Sequence, residues 1–455
     1  MALAAHLGGP NDLSLRSASG PLRLLDAGGV RSETALLRIQ WRREALAAPL
    51  RLERLVLGPF ASFESAEAAA GRWRSAGAQP VVARPGDWEV WAPPGSPAPP
   101  GDPPRRVERL ETLAWVPHLV NGSQRQPLQA PIRIEAPGGL RWNSGVFQGP
   151  FRLQPDAHGG WTLVEQVPLE RYLLGVVPHE IGAGAPAAAL AAQAVLARTW
   201  ALRNQHRFEV DGYHLCADTQ CQVYGDPRLA GGSVGRAVTV TAGKVLTWRG
   251  QPIHAVYHAS NGGVSAAFEE GWAGDSLPYL QAAPDGPPSW QAALTPPLDE
   301  RDLVQLLRSG NQAHGADHPR FRWQRRLDAA SLTAAGRAVE PGFGQANRVT
   351  VLERGPSGRV LALQISGTPA TSPVVLRRDA IRRQLRQLPS TLFVVHPDGP
   401  GRWRFEGGGF GHGAGLSQAG AIDLASRGWT LEQILARYYP GTQLLPLSAL
   451  QRGGP

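Results

Sequence analysis

Cysteine and lysine are almost absent from this 455-residue sequence. The two cysteines, Cys216 and Cys221, are too few for a fold held together by several disulfides. Lys244 is the single lysine among 46 basic residues, which face 37 acidic ones and leave a net charge of +9. Because arginine pairs well with carboxylates and phosphates, this charge predicts an anionic polymer as a partner. A genomic base composition that favours arginine is the alternative explanation.

Long apolar runs are also lacking, and no stretch reaches the roughly 18 residues that a membrane-spanning helix needs. We therefore predict no transmembrane segment. The first ten residues, MALAAHLGGP, do not show the basic region and apolar core of a secretory signal peptide. The sequence thus indicates no export route of that kind.

Proline marks the main division of the chain. Residues 92–106, APPGSPAPPGDPPRR, contain seven prolines, which favour extended backbone and predict a linker. Within residues 1–91, strand-like runs flank a helical pattern that Ser65 would cap, so we predict an N-terminal βαβ module. Its stretch 57–91 resembles a SPOR repeat, a family that binds peptidoglycan glycan strands. A generic α/β module is the alternative.

The pattern changes after the linker, where short β-rich runs are separated by Pro-Gly and Gly-Gly turns. We predict a second domain over residues 107–447 and a C-terminal tail over 448–455. The predicted fold class is α+β, with a mixed β-rich domain that carries a few helices and follows the βαβ module. Helices are predicted over Leu169–Val177, Pro186–Arg203 and Leu416–Arg427, and after the capping-box pair Thr430 and Gln433.

Glu180 is a carboxylate with apolar sequence neighbours, which include Val176, Val177, Pro178 and Ile181. Such surroundings disfavour the ionised carboxylate and raise its pKa, which suits a general acid near neutral pH. The alternative is a helix-terminal glutamate that caps backbone N–H groups and faces water.

The segment Gly407–Gly415, GGGFGHGAG, is the densest glycine run of the chain. It allows the backbone to pass close to a ligand or another chain, and it leaves His412 free to project from a tight loop toward a helix start. The spacing matches neither common phosphate-binding pattern, so no nucleotide site is predicted. A histidine with only a turn role is the alternative.

Cys216 and Cys221 lie near His206 and His214 in the sequence. Zinc accepts cysteine and histidine in tetrahedral sets, so these residues are candidate zinc ligands. A local disulfide and two unpaired buried thiols are the alternatives.

Two other patterns receive structural interpretations. Gly231–Gly235 matches GxSxG, but it lacks a preceding strand and runs into β-branched residues, so we predict a turn. The arginine-rich stretches 320–327 and 376–388 could suggest a nucleic-acid partner. The second has the pattern of a solvated amphipathic helix, and no nucleic-acid partner is predicted.

Five longer motifs occur in the order that characterises the SpoIID/LytB family of peptidoglycan-acting proteins, and the chain resembles that family over residues 107–445. The motifs are VPLERYLLGVVPHEIGAGAPAAALAAQAVLARTWAL, DTQCQVYGD, HAVYHASNGGVSA, AIRRQLRQLPSTLFVV and GGGFGHGAGLSQAGAIDLASRGWTLEQILARYYPGT.

The resemblance implies a lytic transglycosylase, which cleaves between N-acetylmuramic acid and N-acetylglucosamine and leaves a 1,6-anhydromuramic product. The family's catalytic glutamate falls on Glu180, and one carboxylate can serve such a reaction where ordinary glycosidases use two. Some members bind zinc through a histidine directly before the cysteine of DTQCQVYGD, but Gln220 stands there, so we predict no metal and no cofactor. Residues implied to bind the glycan or shape its cleft are Arg198, Gln222, Tyr257, Ser260, Gly262, Gly263, His412, Ser417 and Gln418.

The family also contains amidase enhancers. The alternative function is therefore a non-catalytic peptidoglycan binder that stimulates an N-acetylmuramoyl-L-alanine amidase. Glycan strands and such an amidase are the implied partners. The family implies the periplasm or cell envelope as the location, although the sequence shows no signal peptide.

Overall fold

A computed structural model describes residues 1–10, 12–101, 103–309, 312–368 and 372–450. It is 36% strand and 27% helix in several sheets, which confirms the predicted α+β class. The chain forms two compact units. The first contains Met1–Gly184 and Ala197–Ala242, and the second contains Ala185–Leu196 and Gly243–Pro455.

Antiparallel strands build the first unit. They are β1 (Ala2–Leu7), β2 (Leu13–Ser17), β3 (Leu22–Leu25), β4 (Arg31–Thr34), β5 (Leu36–Phe60), β6 (Val81–Ala83), β7 (Trp88–Ala92), β8 (Arg105–Asn121), β9 (Gln124–Pro127), β10 (Ile132–Glu135), β11 (Leu140–Trp142), β12 (Gly145–Phe147), β13 (Phe151–Pro155) and β14 (Trp161–Glu165). One sheet has the order β1-β14-β13-β10-β3-β4. The other has the order β12-β11-β2-β5-β7-β6, with β8 paired to β5 and β9 paired to β8.

The first unit also contains helices. They are α1 (Phe63–Ser75), α2 (Leu169–Val177), the C-terminal part of α3 (Ala187–Arg203) and α4 (Gly231–Val240), with short 3₁₀ turns at Glu209–Asp211 and Pro227–Ala230. The predicted helices over 169–177 and 186–203 are thus confirmed, and α3 begins directly after Pro186.

Helix α1 shows how the N-terminal region packs. Its apolar face is buried and includes Ala66, Ala69, Ala70 and Trp73, which pack with aromatic residues of the first unit's core. Ser65 does not cap it. Ser62 has the extended backbone of a cap, and its side chain accepts the N–H of Ser65, which already lies inside the helix.

The predicted β-α-β order is present as β5, α1 and β6, with β7 between the two strands and antiparallel to both. Strand β8, which follows the proline-rich segment, pairs with β5 from Ile39 to Val56. Segments on both sides of 92–106 therefore share one sheet. The predicted linker at 92–106 and the domain boundary that it marks stay predictions.

The GxSxG segment is helical, which corrects the predicted turn. Gly231–Gly235 forms the first part of α4. Buried Val234, Ala237 and Val238 give this helix an apolar face, and their burial outweighs the poor helix propensity of its glycines.

The second unit has shorter sheets and more helices. Its strands are β15 (Lys244–Trp248), β16 (Gln251–Pro252), β17 (Tyr257–His258), β18 (Val264–Ser265), β19 (Ala283–Pro284), β20 (Arg322–Asp328), β21 (Gln345–Arg354), β22 (Val360–Thr368), β23 (Val374–Arg377), β24 (Phe393–Pro397), β25 (Arg402–Gly408), β26 (Leu416–Ser417) and β27 (Gln443–Pro446). Its helices are α5 (Phe268–Gly271), α6 (Pro288–Ala293), α7 (Glu300–Ser309), α8 (Ala329–Val339), α9 (Asp379–Gln384), α10 (Gln418–Ser426) and α11 (Leu431–Tyr438), with a 3₁₀ turn at Leu447–Ala449.

Two three-stranded sheets, β20-β25-β24 and β21-β22-β23, contribute to one buried cluster of this unit. Leu332 of α8 and Ile381 of α9 complete it, and both are fully buried. The parallel pair β17-β26 joins the segments that carry Tyr257 and Ser417, two of the predicted substrate-binding residues.

The C-terminal helices follow the predicted signals. α10 ends before Gly428, which adopts the positive φ expected of a helix stop. Thr430 accepts the Gln433 N–H, and the Gln433 side chain accepts the Thr430 N–H, so the predicted capping box is confirmed.

Candidate functional site

Glu180 lies in a π-helical turn, Pro178–Gly182, that follows α2 without a break. Turns of this kind are wider than an α-helical turn and often occur at functional sites. Val176, Val177 and Ile181 are buried around it. Glu180 itself is half-buried.

A loop backbone orients the Glu180 carboxylate. The N–H of Val223 donates to its Oε1 at 2.8 Å. Two residues later, the N–H of Gly225 donates to the carbonyl of Gly175 in α2 at 2.9 Å. Gly225 lies close to His179, and a Cβ there would lie 2.3 Å from the His179 ring. The loop therefore lies directly along the helix that leads to Glu180.

Tyr172 and Gln222 add a second contact between the same two segments. The Tyr172 hydroxyl donates to Gln222 Oε1 at 3.0 Å, and both side chains are buried. Burial raises the pKa of Tyr172, and the nearby Glu180 carboxylate raises it further. The phenol therefore stays protonated and remains a hydrogen-bond donor beside Glu180.

Cys216 and Cys221 form a disulfide with their Cα atoms 5.6 Å apart. This is one of the three predicted states, and it leaves no thiolate to bind zinc. Among the described residues, no cluster of three or more His, Cys, Asp or Glu side chains could hold a metal. The disulfide closes the loop that continues into Gln222 and Val223.

Arg198 is fully buried in α3 and pairs with Glu170 at the start of α2. Its Nε and one Nη donate to the two carboxylate oxygens, both at 2.7 Å. This bidentate pair joins α3 to the helix that leads to Glu180. Arg198 is thus a positioning residue in this structure, and its contact with a substrate stays a prediction.

In the second unit, two glycine-rich segments lie backbone against backbone. We call residues 260–263 together with 407–411 the glycine seam. Ser260 and Phe410 exchange backbone hydrogen bonds of 3.2 and 2.7 Å across it.

Gly262 is required by this close approach, and Gly263 packs tightly against neighbouring side chains. Both have positive φ, +72° and +97°. A Cβ on Gly262 would lie 2.7 Å from backbone atoms of Gly408 and Gly409, and one on Gly263 would lie 3.2 Å from the Trp290 ring. The glycine run therefore serves the approach of another segment of the same chain.

His412 has both ring nitrogens engaged by backbone groups. Its Nδ1 accepts the N–H of Ala414 at 3.2 Å, and its Nε2 lies 2.8 Å from the Tyr257 carbonyl and donates to it. One accepting and one donating nitrogen define a neutral ring. Burial lowers the pKa of His412 to about 3, and Arg382 and Arg359 add to that shift. The ring is thus bound to Tyr257 and does not project freely from its loop as predicted.

His258 is a second neutral histidine in this region. Its Nδ1 lies 3.1 Å from the Ala414 carbonyl, and burial lowers its pKa well below the ordinary value. The His258 and His412 rings meet edge to face at 5.2 Å. Both rings thus act as packing elements at neutral pH.

The low pKa of His412 predicts an acid-sensitive fold. As the pH falls from about 6.5 toward 3, His412 becomes protonated in the unfolded chain and stays neutral in the folded chain. The free energy of unfolding therefore decreases over this range. We expect His412→Gln, which keeps a donor for the Tyr257 carbonyl, to reduce this loss by up to about 1.4 kcal/mol per pH unit. Urea denaturation of both proteins between pH 7 and 4.5 measures it. Identical pH slopes would contradict the assignment.

Ser417 and Gln418 have local partners. The Ser417 side chain caps α10 by accepting the Gly420 N–H at 3.2 Å. Gln418 donates to Gln193 Oε1 at 3.3 Å, within the same unit. Ser417 is fully buried and Gln418 is 9% exposed. Their predicted contact with glycan stays a prediction.

The predicted site residues therefore fall into two groups. Glu180 and Gln222 lie together in the first unit, and Arg198 supports the same helix from α3. The other seven lie along the glycine seam and the neighbouring strand pair of the second unit; they are Tyr257, Ser260, Gly262, Gly263, His412, Ser417 and Gln418.

Three contributors were missed by sequence reasoning. Tyr172 could have been found, because it lies two α-helical turns before Glu180 and on the side of α2 that faces the core. The N–H of Val223 is a backbone group, so the residue type at this position gave no indication of its role. Trp272, whose ring centroid lies 4.7 Å from that of His412, is distant in sequence and could not have been paired with it.

Within the described ranges, no helix is long and apolar enough to cross a membrane.

Comparisons with known proteins bear on both units. The profile of a family described as Stage II sporulation protein, SpoIID, matches residues 157–248. An "Amidase enhancer" of Bacillus subtilis (strain 168) is 31% identical over 304 residues, which are 60% of this chain and 40% of that protein. "Stage II sporulation protein D" of the same organism is 28% identical over 303 residues, 62% of this chain and 75% of that protein.

The chain is similar to members of the SpoIID/LytB family over about 60% of its length. It spans less than half the length of the amidase enhancer. The SpoIID match contains Glu180, Arg198 and Gln222. A second profile, described as a domain of unknown function (DUF8618), matches residues 266–415 and contains His412.

Proposed function

We propose that this protein cleaves peptidoglycan glycan strands as a lytic transglycosylase, with Glu180 as both acid and base. The observation that carries the proposal is a single carboxylate on a π-helical turn, oriented by the Val223 N–H, inside the segment that matches the SpoIID profile. Similarity to the SpoIID/LytB family supports a role in the cell wall, and the chemistry of the turn supports this particular reaction.

The reaction needs one group that gives a proton and then takes one. Protonated Glu180 gives its proton to the oxygen between the anomeric carbon of N-acetylmuramic acid and the next sugar, and that carbon–oxygen bond breaks with its electron pair on the oxygen. The new carboxylate takes the proton of the muramic C6 hydroxyl, whose oxygen bonds to the anomeric carbon. Glu180 ends protonated, no water is consumed, and the product is 1,6-anhydromuramic acid.

The neighbours of Glu180 have supporting roles in this proposal. The Val223 N–H holds one carboxyl oxygen, so the other is presented in a fixed direction. Tyr172 and Gln222 brace the loop against α2. Arg198 fixes α2 through Glu170. In the second unit, the seven predicted residues of the glycine seam and strand pair shape a sugar-binding surface, and neutral His412 transfers no proton.

A second candidate function is supported by one relative. A protein named amidase enhancer is 31% identical over 304 residues. In this alternative the chain binds peptidoglycan without cleaving it and stimulates an N-acetylmuramoyl-L-alanine amidase. Glu180 would then accept a hydrogen bond from a sugar hydroxyl.

Product analysis separates the two functions. The purified protein is incubated with intact and with peptide-stripped glycan strands, and the products are identified by mass spectrometry. Strands that end in anhydromuramic acid support the transglycosylase. Intact strands that sediment with the protein, together with faster release of stem peptides by an added amidase, support the enhancer. New reducing ends without anhydro products would refute the proposed chemistry, because they require attack by water.

The location and partners follow from the same proposal. We propose that the protein acts in the cell envelope, where its glycan substrate lies, and that a cell-wall amidase is a functional partner. The names of the sporulation and amidase-enhancer relatives support this location.

A further inference from the structure

Strands β5 and β8 form a two-stranded ribbon in the first unit. We call residues 41–54 of β5 and 107–117 of β8 the β5-β8 ribbon. Strands β2 and β7 pair with β5 only on either side of it, and β9 pairs with β8 only from His118 onward. Within the part of the chain that the structure describes, no third strand pairs with the ribbon. A two-stranded sheet is marginally stable by itself in water, so the ribbon favours the addition of another strand.

The two edges of the β5-β8 ribbon differ in regularity. Strand β5 bulges between Ala45 and Leu50, where residues 46–49 lie opposite Thr112 alone. A bulge disrupts pairing with another chain, whereas a regular exposed edge is a template for it. The outer edge of β8 is therefore the edge that can accept a strand.

The outward backbone groups of β8 follow from strand alternation, since successive residues point their backbone groups to alternate edges. The Pro117 carbonyl accepts the N–H of Leu128, which directly follows β9, and the Trp115 carbonyl accepts the indole N–H of Trp161. Odd-numbered residues of β8 therefore face away from β5. Among residues 107–113, these outward residues make no backbone hydrogen bond to another segment of the described chain on this edge. They are Val107, Arg109, Glu111 and Leu113.

The side chains along this edge are open to a partner. Leu110 is 66% exposed, more than any other large apolar side chain that the structure describes. Arg109 is exposed and Glu111 is half-buried. Within the described residues, neither lies within 4.0 Å of an opposite charge, whereas the neighbouring Arg51 and Glu108 form an ion pair of 2.5 Å. Both charges are thus available to charges on another chain.

The edge is complementary to itself about Leu110. In an antiparallel pair formed by two copies of β8, the outward residues of one copy must lie opposite the outward residues of the other. A two-fold axis at Leu110 places Arg109 of each copy opposite Glu111 of the other, and Val107 opposite Leu113. Opposite charges and apolar pairs across two strands both stabilise a sheet. The two Leu110 side chains lie opposite each other and bury apolar surface.

Other positions of the axis are less favourable. An axis at Glu108, Arg109 or Glu111 places that charged residue directly opposite its own copy, and like charges in this position destabilise a sheet. An axis at Thr112 brings Arg109 opposite Trp115, whose outward carbonyl already accepts a hydrogen bond. Charge complementarity therefore selects one register for a second copy of the chain.

We propose that two copies of this chain associate through the outer edges of β8, antiparallel and with the two-fold axis at Leu110. Strands β5 and β8 of both copies then form one continuous sheet, held by backbone hydrogen bonds of the outward residues and by two Arg109–Glu111 pairs. Because the edge is short and buries little area, the dimer is reversible. The inference does not rest on the proposed function, because the association requires no glycan.

Sedimentation velocity of the full chain measures this association, over protein concentrations that extend from the low micromolar range to about 200 µM. The test variants are Arg109→Glu and Glu111→Arg, each of which places like charges opposite each other twice in the proposed dimer. The combined variant exchanges the two charges and restores both pairs. The control is Arg133→Glu, which reverses an exposed charge of the same unit on β10, outside the ribbon.

Wild type and the Arg133→Glu control should form dimers as the concentration rises. Each single reversal should weaken dimerisation at least about tenfold, because two attractive pairs become repulsive. The combined Arg109→Glu and Glu111→Arg variant should dimerise like wild type, which a misfolded variant would not do. A wild-type chain that stays monomeric, single reversals that dimerise like wild type, or a combined variant as weak as the single ones would overturn the proposal.

Disulfide cross-linking tests the register independently. Opposite residues in a non-hydrogen-bonded pair have their Cα atoms about 4.5 Å apart, which is within the range of a disulfide. With oxidised glutathione added, Leu110→Cys should therefore give a covalent dimer on a non-reducing gel. Thr112→Cys should not, since the proposed axis separates the two copies of residue 112 by about 13 Å. Cys216 and Cys221 are joined to each other and do not compete. No cross-linking through Leu110→Cys, or faster cross-linking through Thr112→Cys, would overturn the proposed register.

Discussion

Glu180→Gln is expected to reduce the formation of anhydromuramic ends by about 10²–10⁴-fold, the usual contribution of a general acid or base. Glutamine has nearly the same shape, and its Oε1 still accepts the Val223 N–H that holds the carboxylate in the wild type. It has no acidic proton to give to the glycosidic oxygen. The substitution therefore removes proton transfer and leaves the loop contact in place. The rate of product formation on peptide-stripped strands, followed by mass spectrometry, measures the effect.

The matched control is Glu209→Gln, which changes an exposed glutamate of the same unit in a 3₁₀ turn. We expect it to form product at the wild-type rate. Sedimentation with glycan should be the same for wild type and both variants. Equal cleavage by wild type and Glu180→Gln would remove Glu180 from the mechanism, and loss of glycan binding in Glu180→Gln would indicate a binding role.

Gly262→Ala is expected to lower the free energy of unfolding of the second unit by about 3 kcal/mol, through backbone strain and overpacking together. The new methyl carbon would lie 2.7 Å from backbone atoms of Gly408 and Gly409, where no side chain can move aside. The two segments of the glycine seam must then separate. Urea denaturation followed by tryptophan fluorescence measures the loss.

Gly428→Ala separates the two causes. Gly428 has a comparable positive φ, +86°, but nothing lies within 4 Å of a Cβ built there. We expect this control to lose only about 1 kcal/mol, which is the cost of the left-handed backbone alone. Similar losses in the two variants would show that the close approach in the glycine seam contributes little.

Local patterns in the sequence predicted local structure well. The apolar face of α1, the capping box at Thr430 and the stop at Gly428 all depend on residues a few positions apart. The same reasoning gave a wrong prediction for the GxSxG segment. Burial of Val234, Ala237 and Val238 in α4 stabilises the helix by more than the poor helix propensity of glycine destabilises it. The pairing of β5 with β8 across the proline-rich segment could not be predicted from local patterns either, since it joins residues far apart in the chain.

The candidate site was predictable in its residue types and less so in its contacts. Glu180 stands out by its apolar neighbours and its motif, but the Val223 donor is a backbone group that any residue could supply. The glycine run indicated that its backbone lies close to another group, but the sequence did not identify that group. The structure shows the partner to be a second glycine-rich segment. For the cysteines, spacing allowed three states, and the fold brings the two sulfurs into bonding contact.

The Cys216–Cys221 disulfide makes the surroundings of Glu180 depend on when and where the chain matures. Thiols stay reduced in an ordinary bacterial cytosol and are oxidised outside it. A newly made chain would thus hold its Val223 loop by non-covalent contacts alone, and oxidation would close the loop later. By the chain-entropy estimate, closing so short a loop contributes about 2 kcal/mol. If the chain acts in the cell envelope as proposed, an oxidant there would accept the two electrons and two protons of the thiols, and the loop that orients Glu180 would be closed covalently only at that location.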